Sequence, residues 1–263
     1  MERTPGTGAQ PERGRAFAAA RHADGASRTV AAVRATGGGA PSHRRPIVAV
    51  LAVQGAFVEH ERKLAQLGAN CVELRQRPDL EKPFDALVLP GGESTVQGKL
   101  LRELGMLEPL RERVAGGLPV LATCAGMILL AERVAQGDGP YLATVPMTVR
   151  RNAYGRQLGS FHAEGRWEEG AKGTEEAAGA TCVADAKDYS SNSATLASEP
   201  VPLTFIRAPR IEATGPGVEP LVTLNDAPVA VRHRNQIAAA FHPELDDDNR
   251  LYEALLAPLK RAY

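Results

Sequence analysis

The sequence predicts an α/β fold, in which a mostly parallel sheet is covered by helices on both faces and extended by antiparallel hairpins. Two patterns indicate this fold. From Pro46 to about residue 135, short apolar segments alternate with amphipathic ones, which is typical of parallel strands joined by crossover helices. Further along, short apolar segments follow one another with turn residues between them, which is typical of hairpins. With 263 residues and 43% hydrophobic composition, the chain can bury a sizeable core.

The parallel part begins with Ile47–Val53, a continuous apolar run that favours a strand buried on both faces. A helix is predicted near Ala56–Leu67, and Gly68 is expected to end it. The other predicted strands are Cys71–Leu74, Asp85–Leu89 and Val120–Thr123, and the other predicted helices are Thr95–Glu103, Leu107–Val114 and Ala125–Ala135. Parallel sheets bind ligands at the carboxyl ends of their strands, so functional residues are expected there.

The second half of the chain predicts hairpins and a closing helix. The predicted strands are Pro146–Arg150, Leu203–Ile206, Leu221–Leu224, Val229–Arg232 and Ile237–Phe241. Asn225–Asp226 has the composition of a turn. The segment Gly165–Pro200 contains seven acids and three bases, and we interpret it as a surface insertion. A last helix is predicted over Asp247–Arg261, with the acidic run 246–248 at its start.

The first 45 residues differ in composition from the rest of the chain. They contain eight arginines and eleven alanines against three acids, without apolar periodicity. We therefore expect a disordered extension in front of a domain that covers residues 46–263. An arginine-rich, acid-poor segment also suits an organelle transit peptide, and both interpretations stay open at this point.

Charge and cysteine content argue against several classes of protein. The chain has 31 lysines and arginines and 31 aspartates and glutamates. Its net charge therefore gives no indication of nucleic-acid binding. No apolar run approaches the ~20 residues of a membrane span. The three cysteines, Cys71, Cys124 and Cys182, cannot all pair and show no C-x-x-C spacing, which argues against a disulfide scaffold or a thiolate zinc site. We expect a cytoplasmic protein.

Cys124 lies at the junction of a predicted buried strand and a predicted helix, with small neighbours on both sides. This is the arrangement of a nucleophile elbow, in which a sharp turn raises the side chain above the sheet. The N-terminus of the following helix would favour the thiolate. A buried structural cysteine is the alternative interpretation, and the segment alone does not decide between the two.

His242 and Glu244 supply the groups that a nucleophilic cysteine needs. In an extended segment residues i and i+2 project to the same side, and Pro243 favours that form for His242. A carboxylate beside an imidazole fixes its tautomer, and the imidazole then accepts the thiol proton. A His-Pro-Glu segment alone would usually be a surface turn, and the pairing with Cys124 makes it specific.

Leu89–Thr95 is a third segment at the end of a predicted strand. Its adjacent glycines, Gly91 and Gly92, let the backbone approach a ligand closely. Together with the N–H of Ala125 they would form an oxyanion hole. The alternative is a glycine turn in which Glu93 and the following serine cap a helix. A phosphate-binding loop is excluded because the chain has no G-x-x-x-x-G-K-[ST] sequence.

With these three segments in this order, the chain resembles the triad (type 1) glutamine amidotransferases, and among them the glutaminase subunits of pyridoxal 5′-phosphate synthase. Thr123–Gly126 and His242–Glu244 match the whole superfamily. The segments that match this vitamin B6 branch are Leu51–Ala56 with Glu59 and His60, Leu89–Thr95, Arg151–Gln157 and Phe205–Pro209. The resemblance implies a flavodoxin-like three-layer sandwich. One departure is Ala122, where the family usually has glycine, and we expect its methyl group to be accommodated.

The resemblance also implies roles for individual residues. Cys124 would attack the side-chain amide of L-glutamine to form a γ-glutamyl thioester, and His242, oriented by Glu244, would shuttle the proton. The backbone at Gly92 and Ala125 would hold the oxyanion. The positions that match the family's glutamine site are Gly92, Glu93, Ser94, Arg151, Ile206 and Arg207. We expect structural or surface roles for the remaining candidates, His60, Cys71, His162, Cys182 and His233.

The partner implied by the resemblance is a separate TIM-barrel synthase, whose dodecameric core carries glutaminase subunits and receives the ammonia. No metal and no cofactor are implied. Two other hypotheses stay open: a triad amidotransferase of another pathway, and a non-catalytic binding subunit of the same fold. Arg151–Gln157 and Phe205–Pro209 argue against the first, and the intact Cys124, His242 and Glu244 argue against the second.

Overall fold

The computed structural model describes residues 44–153, 160–168 and 200–260. The strands in these ranges are β1 Ile47–Leu51, β2 Asn70–Leu74, β3 Ala86–Leu89, β4 Val120–Thr123, β5 Ala131–Val134, β6 Val145–Arg150, β7 Ser160–Trp167, β8 Pro200–Ile206, β9 Arg210–Thr214, β10 Val218–Leu224, β11 Ala227–His233 and β12 Gln236–Ala239. The helices are α1 Phe57–Gln66, α2 Ser94–Glu103, α3 Leu107–Ala115, α4 Ala125–Leu130 and α5 Arg250–Lys260. Short 3₁₀ helices cover Arg77–Glu81 and Pro243–Leu245.

The larger sheet joins a parallel part to an antiparallel part. Its strand order is β2-β1-β3-β4-β12-β11-β10-β7-β8. The first five strands in this order run parallel, and the other neighbours run antiparallel. A smaller sheet has the order β5-β6-β9. The α/β class with antiparallel additions, predicted from the sequence, is confirmed.

The parallel strands lie in the middle of the core. Every residue of β3 and β4 is buried, as are the last four residues of β1. Successive residues of a strand point to opposite faces of the sheet, so unbroken burial means that both faces are covered. This burial confirms the prediction made from their continuous apolar runs. A strand with one face open to water would instead alternate apolar and polar residues.

Two predicted turns have the expected backbone conformation. Gly68 follows the end of α1 with φ +84°, a left-handed value at which glycine avoids the steric cost of a side chain. Asn225 and Asp226 join β10 to β11 with φ values of +49° and +62°. Two consecutive left-handed residues form the type I′ turn that suits the twist of a hairpin, and Asn and Asp tolerate it well.

The helix predicted over Ala125–Ala135 is wrong beyond Leu130. Residues Ala131–Val134 form β5, which pairs in parallel with β6. The local composition favours a helix, but backbone pairing with a strand that follows later in the chain determines the structure. The sequence also failed to predict β7 and β9. Their residues are mostly half-buried or exposed, so they lack an apolar signal.

The predicted closing helix begins at Arg250, three residues later than expected. The Asp248 carboxylate accepts a hydrogen bond from the Arg250 N–H at 2.8 Å. The predicted insertion starts inside β7, while its residues 169–199 lie outside the described residues, as do residues 1–43, and the domain division stays a prediction. Within the described ranges, no helix is long and apolar enough to cross a membrane.

Candidate active site

The candidate site lies where three neighbouring parallel strands end. Leu89 of β3 pairs with Ala122 of β4, and Thr123 of β4 pairs with Ala239 of β12. Cys124 therefore follows β4 at the same edge of the sheet at which His242 follows β12. The register of the sheet brings together two residues that are far apart in the chain, as predicted from the rule that ligands bind at the carboxyl ends of parallel strands.

Cys124 has the backbone conformation of a nucleophile elbow. Its φ is +48° and its ψ is −103°, which is a strained combination for a residue with a side chain. Its N–H donates to the Ala239 carbonyl at 2.8 Å, which fixes the turn to β12. A Cβ atom on Gly126 would lie 2.0 Å from the Leu89 carbonyl oxygen, so α4 approaches β3 closely because this residue is glycine.

His242 and Glu244 form a buried pair. His242 Nδ1 lies 2.7 Å from Glu244 Oε1, and the His242 N–H donates to the Thr204 carbonyl at 2.8 Å. The predicted extended conformation of residues 242–244 is wrong, because Pro243–Leu245 form a 3₁₀ helix. His242 itself, with φ −110° and ψ 81°, keeps the non-helical conformation expected before proline. The tight turn after it brings the carboxylate back to the ring.

The charges of this pair stabilise each other. Burial by itself lowers the pKa of His242, but interactions with Cys124 and Glu244 outweigh burial and raise the pKa to about 10. Burial by itself raises the pKa of Glu244, but the hydrogen bond from His242 and the positive charge of that imidazole bring it below its usual value. A protonated imidazole beside an ionised carboxylate is therefore the favoured state at neutral pH.

Cys124 lies on the other side of the imidazole ring. Nδ1 is occupied by Glu244, while Nε2 is buried and has no well-formed hydrogen bond in the described part of the chain. The Cys124 thiol is close enough to the ring to raise the pKa of His242, and its Sγ is 3.8 Å from the Ile206 carbonyl oxygen. A Cβ on Gly91 would lie 2.4 Å from His242 Cε1 and 3.4 Å from Cys124 Cβ. The glycine thus leaves room for imidazole and thiol to meet.

A cavity of about 270 Å³ opens above the cysteine. Cys124 and His242 line this cavity. So does every residue predicted to bind glutamine or to hold the oxyanion: Gly92, Glu93, Ser94, Ala125, Arg151, Ile206 and Arg207. Glu244 does not line the cavity, because it lies behind the imidazole. The sequence-predicted residues are therefore assembled around one small-molecule cavity.

Arg151 and Glu93 close one side of this cavity. The Arg151 guanidinium donates to Thr95 Oγ1 at 2.7 Å and to Glu93 Oε1. The other carboxylate oxygen of Glu93 accepts the Val96 N–H at 2.9 Å, which caps α2. Partial burial raises the pKa of Glu93. Hydrogen bonds from the N–H groups of α2 and the charge of Arg151 lower it by more, so the pKa lies below its usual value. The capping alternative is confirmed for Glu93, which nevertheless lines the cavity.

Sequence reasoning left four lining residues without a role: Gln54, Ile128, Asn152 and Pro209. Gln54 holds the glycine turn in place, because its Oε1 accepts the Glu93 N–H at 2.8 Å and its carbonyl accepts Gln97 Nε2 at 2.9 Å. Residues 154–157 of the Arg151–Gln157 segment lie outside the described residues. No group of three or more His, Cys, Asp or Glu that could hold a metal occurs within the described ranges.

The residues that we set aside from chemistry have different surroundings. Burial and the Glu61 charge raise the pKa of Cys71 to about 12, which makes its thiol unreactive. His233 Nδ1 forms a hydrogen bond with the Gly217 carbonyl oxygen at an exposed position. His162 Nδ1 forms one with Thr204 Oγ1. His60 is different: it is fully buried and contacts Glu244. Cys182 lies outside the described residues.

Comparison with known proteins gives the family of this chain. The model of the SNO glutamine amidotransferase family matches residues 50–259. The chain belongs to the SNO glutamine amidotransferase family. Pyridoxal 5′-phosphate synthase subunit PdxT of Desulfitobacterium hafniense strain Y51 is 50% identical over 209 residues, covering 80% of this chain and 91% of that protein. The subunit of the same name from Streptococcus pneumoniae TIGR4 is 44% identical, covering 78% of this chain and 94% of that one.

Solved structures agree with this membership of the SNO family. A crystal structure described as a glutamine amidotransferase is 38% identical and superposes with a TM-score of 0.65, covering 80% of this chain and 97% of that chain. The structure of PurLQS from Thermotoga maritima superposes with a TM-score of 0.55 at 13% identity, covering 82% of this chain and all of that chain. At that identity the second likeness concerns the fold alone.

Proposed function

We propose that this protein hydrolyses L-glutamine to L-glutamate and ammonia as the glutaminase subunit of a pyridoxal 5′-phosphate synthase. The observation that carries the proposal is the meeting of Cys124, His242 and Glu244 at one sheet edge, beneath a cavity lined by all the predicted glutamine-binding residues. The SNO family is a glutamine amidotransferase family, and relatives at 44–50% identity carry the name of this synthase subunit.

The proposed reaction begins with the Cys124 thiol proton transferred to His242 Nε2, and the resulting thiolate attacks the side-chain amide carbon of glutamine. A C–S bond forms, and the carbonyl oxygen becomes an oxyanion. The protonated His242 then gives its Nε2 proton to the amide nitrogen, the C–N bond breaks, and ammonia leaves a γ-glutamyl thioester. The neutral imidazole next takes a proton from water, which attacks the thioester and releases glutamate and the thiolate. Glu244 stabilises the imidazolium throughout.

The N–H groups of Gly92 and Ala125 are proposed to hold the oxyanion. Ala125 is the first residue of α4, so its N–H has no acceptor within the helix. Gly92 lies beyond the end of β3 and lines the same cavity as Cys124. Donors that are already in place where negative charge develops lower the barrier without reorganisation.

The proposed glutamine site combines Gly92, Glu93, Ser94, Arg151, Ile206 and Arg207. A guanidinium suits the α-carboxylate of an amino acid, because its N–H groups match the two carboxylate oxygens. Arg151 and Arg207 both line the cavity. The Ser94 Oγ is buried and has no hydrogen-bond partner within the described ranges, so it is available to a bound substrate.

The proposed partner is the synthase subunit, a TIM barrel that receives the ammonia. The names of the relatives support a synthase with more than one kind of subunit, and its arrangement as a dodecameric core decorated by glutaminase subunits is a further part of the proposal that rests on the family resemblance alone. The relatives quoted above come from bacteria and give no support to organelle targeting. A cytoplasmic location is likewise proposed.

The test combines the purified chain with a pyridoxal 5′-phosphate synthase TIM-barrel subunit and follows both glutamate release and pyridoxal phosphate formation from glutamine. We expect Cys124→Ala to abolish both, and the matched control Cys71→Ala to keep both. Glutamine hydrolysis by the Cys124→Ala variant would end the proposal. Pyridoxal phosphate formation from added ammonia but not from glutamine by the wild-type mixture would identify a non-catalytic subunit, and ammonia transfer to a different acceptor enzyme would identify another pathway.

A further inference from the structure

A histidine outside the triad lies directly behind it. His60 belongs to α1 and has no exposed surface. Its Nδ1 lies 2.8 Å from the Tyr252 hydroxyl of α5, and its Nε2 lies 3.2 Å from Thr123 Oγ1 of β4. The same Nε2 lies 3.5 Å from Glu244 Oε2. His60 thus joins two helices to the strand that carries the cysteine and to the carboxylate that orients His242.

Glu244 presents its two oxygens to different histidines. Oε1 faces His242 Nδ1 at 2.7 Å. Oε2 is buried and has no hydrogen bond of ordinary length in the described part of the chain, and His60 Nε2 approaches it at 3.5 Å. The Glu244 backbone N–H also interacts with the carboxylate. A buried carboxylate oxygen without a donor is costly, so the nitrogen that faces it matters for the state of the whole pair.

The surroundings select one tautomer of His60. If Nδ1 carried the hydrogen, the Nε2 lone pair would face the Glu244 carboxylate, and the two would repel each other. If Nε2 carries the hydrogen, it donates toward Glu244 and Thr123 together, while the Tyr252 hydroxyl donates to Nδ1. The Nε2 hydrogen then faces two acceptors, and Nδ1 accepts from a donor.

His60 is neutral in this cluster. Burial lowers its pKa, outweighing the nearby Glu244 carboxylate, which raises it. The other titratable groups that face the cluster are His242, Glu59 and Tyr252. Burial and the Glu244 charge keep the Tyr252 hydroxyl protonated by raising its pKa. His60 therefore acts as a fixed neutral donor, and it is not a second base.

We propose that His60 is a positioning residue of the glutaminase reaction, whose Nε2–H holds Glu244 Oε2 so that Oε1 stays directed at His242. The inference rests on the proposed function. Because Glu244 stabilises the His242 imidazolium, loss of its orientation makes the imidazolium release its proton more easily. The His242 imidazolium is then lost at lower pH, so the alkaline limb of the activity profile moves toward neutral pH.

Two amide substitutions separate this role from mere packing. In His60→Gln the side-chain amide nitrogen reaches the position of Nε2 and keeps a donor toward Glu244. In His60→Asn the shorter amide takes the position of Nδ1, so it keeps the Tyr252 contact and leaves Glu244 without a donor. Both variants bury a neutral amide of similar polarity. Thr123→Val, which is close in shape, removes only the competing acceptor.

The experiment measures glutamate release by each variant in complex with the synthase across pH, together with its melting temperature. We expect His60→Asn to lower kcat about 10- to 100-fold, the scale set by a lost hydrogen bond to a charged group, and to move the alkaline limb down by about one pH unit. His60→Gln is expected to keep most of the wild-type kcat and most of the wild-type position of the alkaline limb. Thr123→Val is expected to leave the alkaline limb where it is in the wild type. The effect of His60→Asn should vanish in a Glu244→Gln background.

Several outcomes would overturn the inference. An unshifted alkaline limb in folded His60→Asn would do so, as would equal behaviour of the Gln and Asn variants. A limb shift in Thr123→Val as large as that of His60→Asn would assign the hydrogen bond to Thr123 instead. If neither His60 variant folds, ¹⁵N NMR of the wild-type imidazoles decides the matter, and a His60 tautomer that carries its hydrogen on Nδ1 would overturn the inference. Failure of the proposed function would be visible separately, as glutamine hydrolysis by Cys124→Ala.

Discussion

Glu244→Gln tests the electrostatic core of the site. The carboxylate is fully buried and lies 2.7 Å from His242 Nδ1. Glutamine has nearly the same shape but carries no charge, and its amide NH₂ can meet the His242 N–H with the wrong polarity. The substitution therefore leaves the packing in place and removes the stabilisation of the imidazolium. We expect a folded protein with a much slower reaction.

The magnitude follows from the position of the carboxylate. Replacing the orienting carboxylate of a buried triad by its amide lowers kcat about 10⁴-fold, and Glu244 is likewise buried and in contact with the imidazole, so kcat should fall about 1,000- to 10,000-fold. The sign of the pH effect follows from the raised pKa of His242. The imidazolium is present below about 10 and is lost as the pH rises through that value. Without the Glu244 charge, the loss occurs at lower pH.

The assay is glutamate release by the complex with the synthase, measured from pH 6 upward until the enzyme unfolds, with a melting curve for each variant. Asp247→Asn is the matched control, because it makes the same kind of change at an exposed carboxylate three positions away. It should behave as the wild type. A folded Glu244→Gln variant whose kcat stays within tenfold of the wild type, or whose alkaline limb is unmoved, would refute the reasoning.

Three further predictions concern packing, thiol reactivity and substrate binding. Gly126→Ala places a Cβ 2.0 Å from the Leu89 carbonyl oxygen, and overpacking of about 1–3 kcal/mol should lower the melting temperature by several degrees; an unchanged melting curve would contradict this. Cys71, with its pKa raised to about 12, should stay unalkylated by iodoacetamide at pH 7 in the folded protein, as peptide mass spectrometry would show. Arg151→Lys loses the guanidinium that donates to both Thr95 and Glu93, so the KM for glutamine should rise about tenfold with a smaller change in kcat; an unchanged KM would exclude Arg151 from the substrate site.

The parallel half of the fold could be predicted because its strands are buried on both faces. Burial on both faces requires continuous apolar runs, and such runs are visible in a single sequence. The same burial explains why Val120–Thr123 was predicted with its correct bounds. The type I′ turn at Asn225–Asp226 could be predicted for a different reason, since left-handed backbone selects a few residue types.

The elements that sequence reasoning missed depend on pairing between distant segments. The residues of β5, Ala131–Val134, follow a helix and have helical composition, and only the pairing with β6 makes them a strand. β7 carries charged and half-buried residues, so no alternation reveals it. Such strands are defined by the backbone of their neighbours, and a pattern of side chains does not report on those neighbours.

In the candidate site, too, some residues could be predicted from the sequence and one could not. Cys124 and His242 could be predicted because each stands at the end of an apolar strand and chemistry restricts the residue type. His60 could not be assigned a role, because a single histidine on an amphipathic helix most often belongs to the core. Its contact with Glu244 arises from the packing of α1 against the 3₁₀ helix at Pro243–Leu245. No spacing in the sequence reports that contact.

Ala122 illustrates how strain at the nucleophile is kept local. The left-handed conformation of Cys124 costs on the order of 1–3 kcal/mol, and it persists because β4 is held on both sides, by Leu89 of β3 and by Ala238 of β12. Ala122 is a regular, fully buried strand residue without a positive φ. Its position therefore does not require the conformational freedom of the glycine that the family usually has there. Only the volume of one methyl group must be accommodated, which makes alanine compatible with an unaltered elbow two residues later.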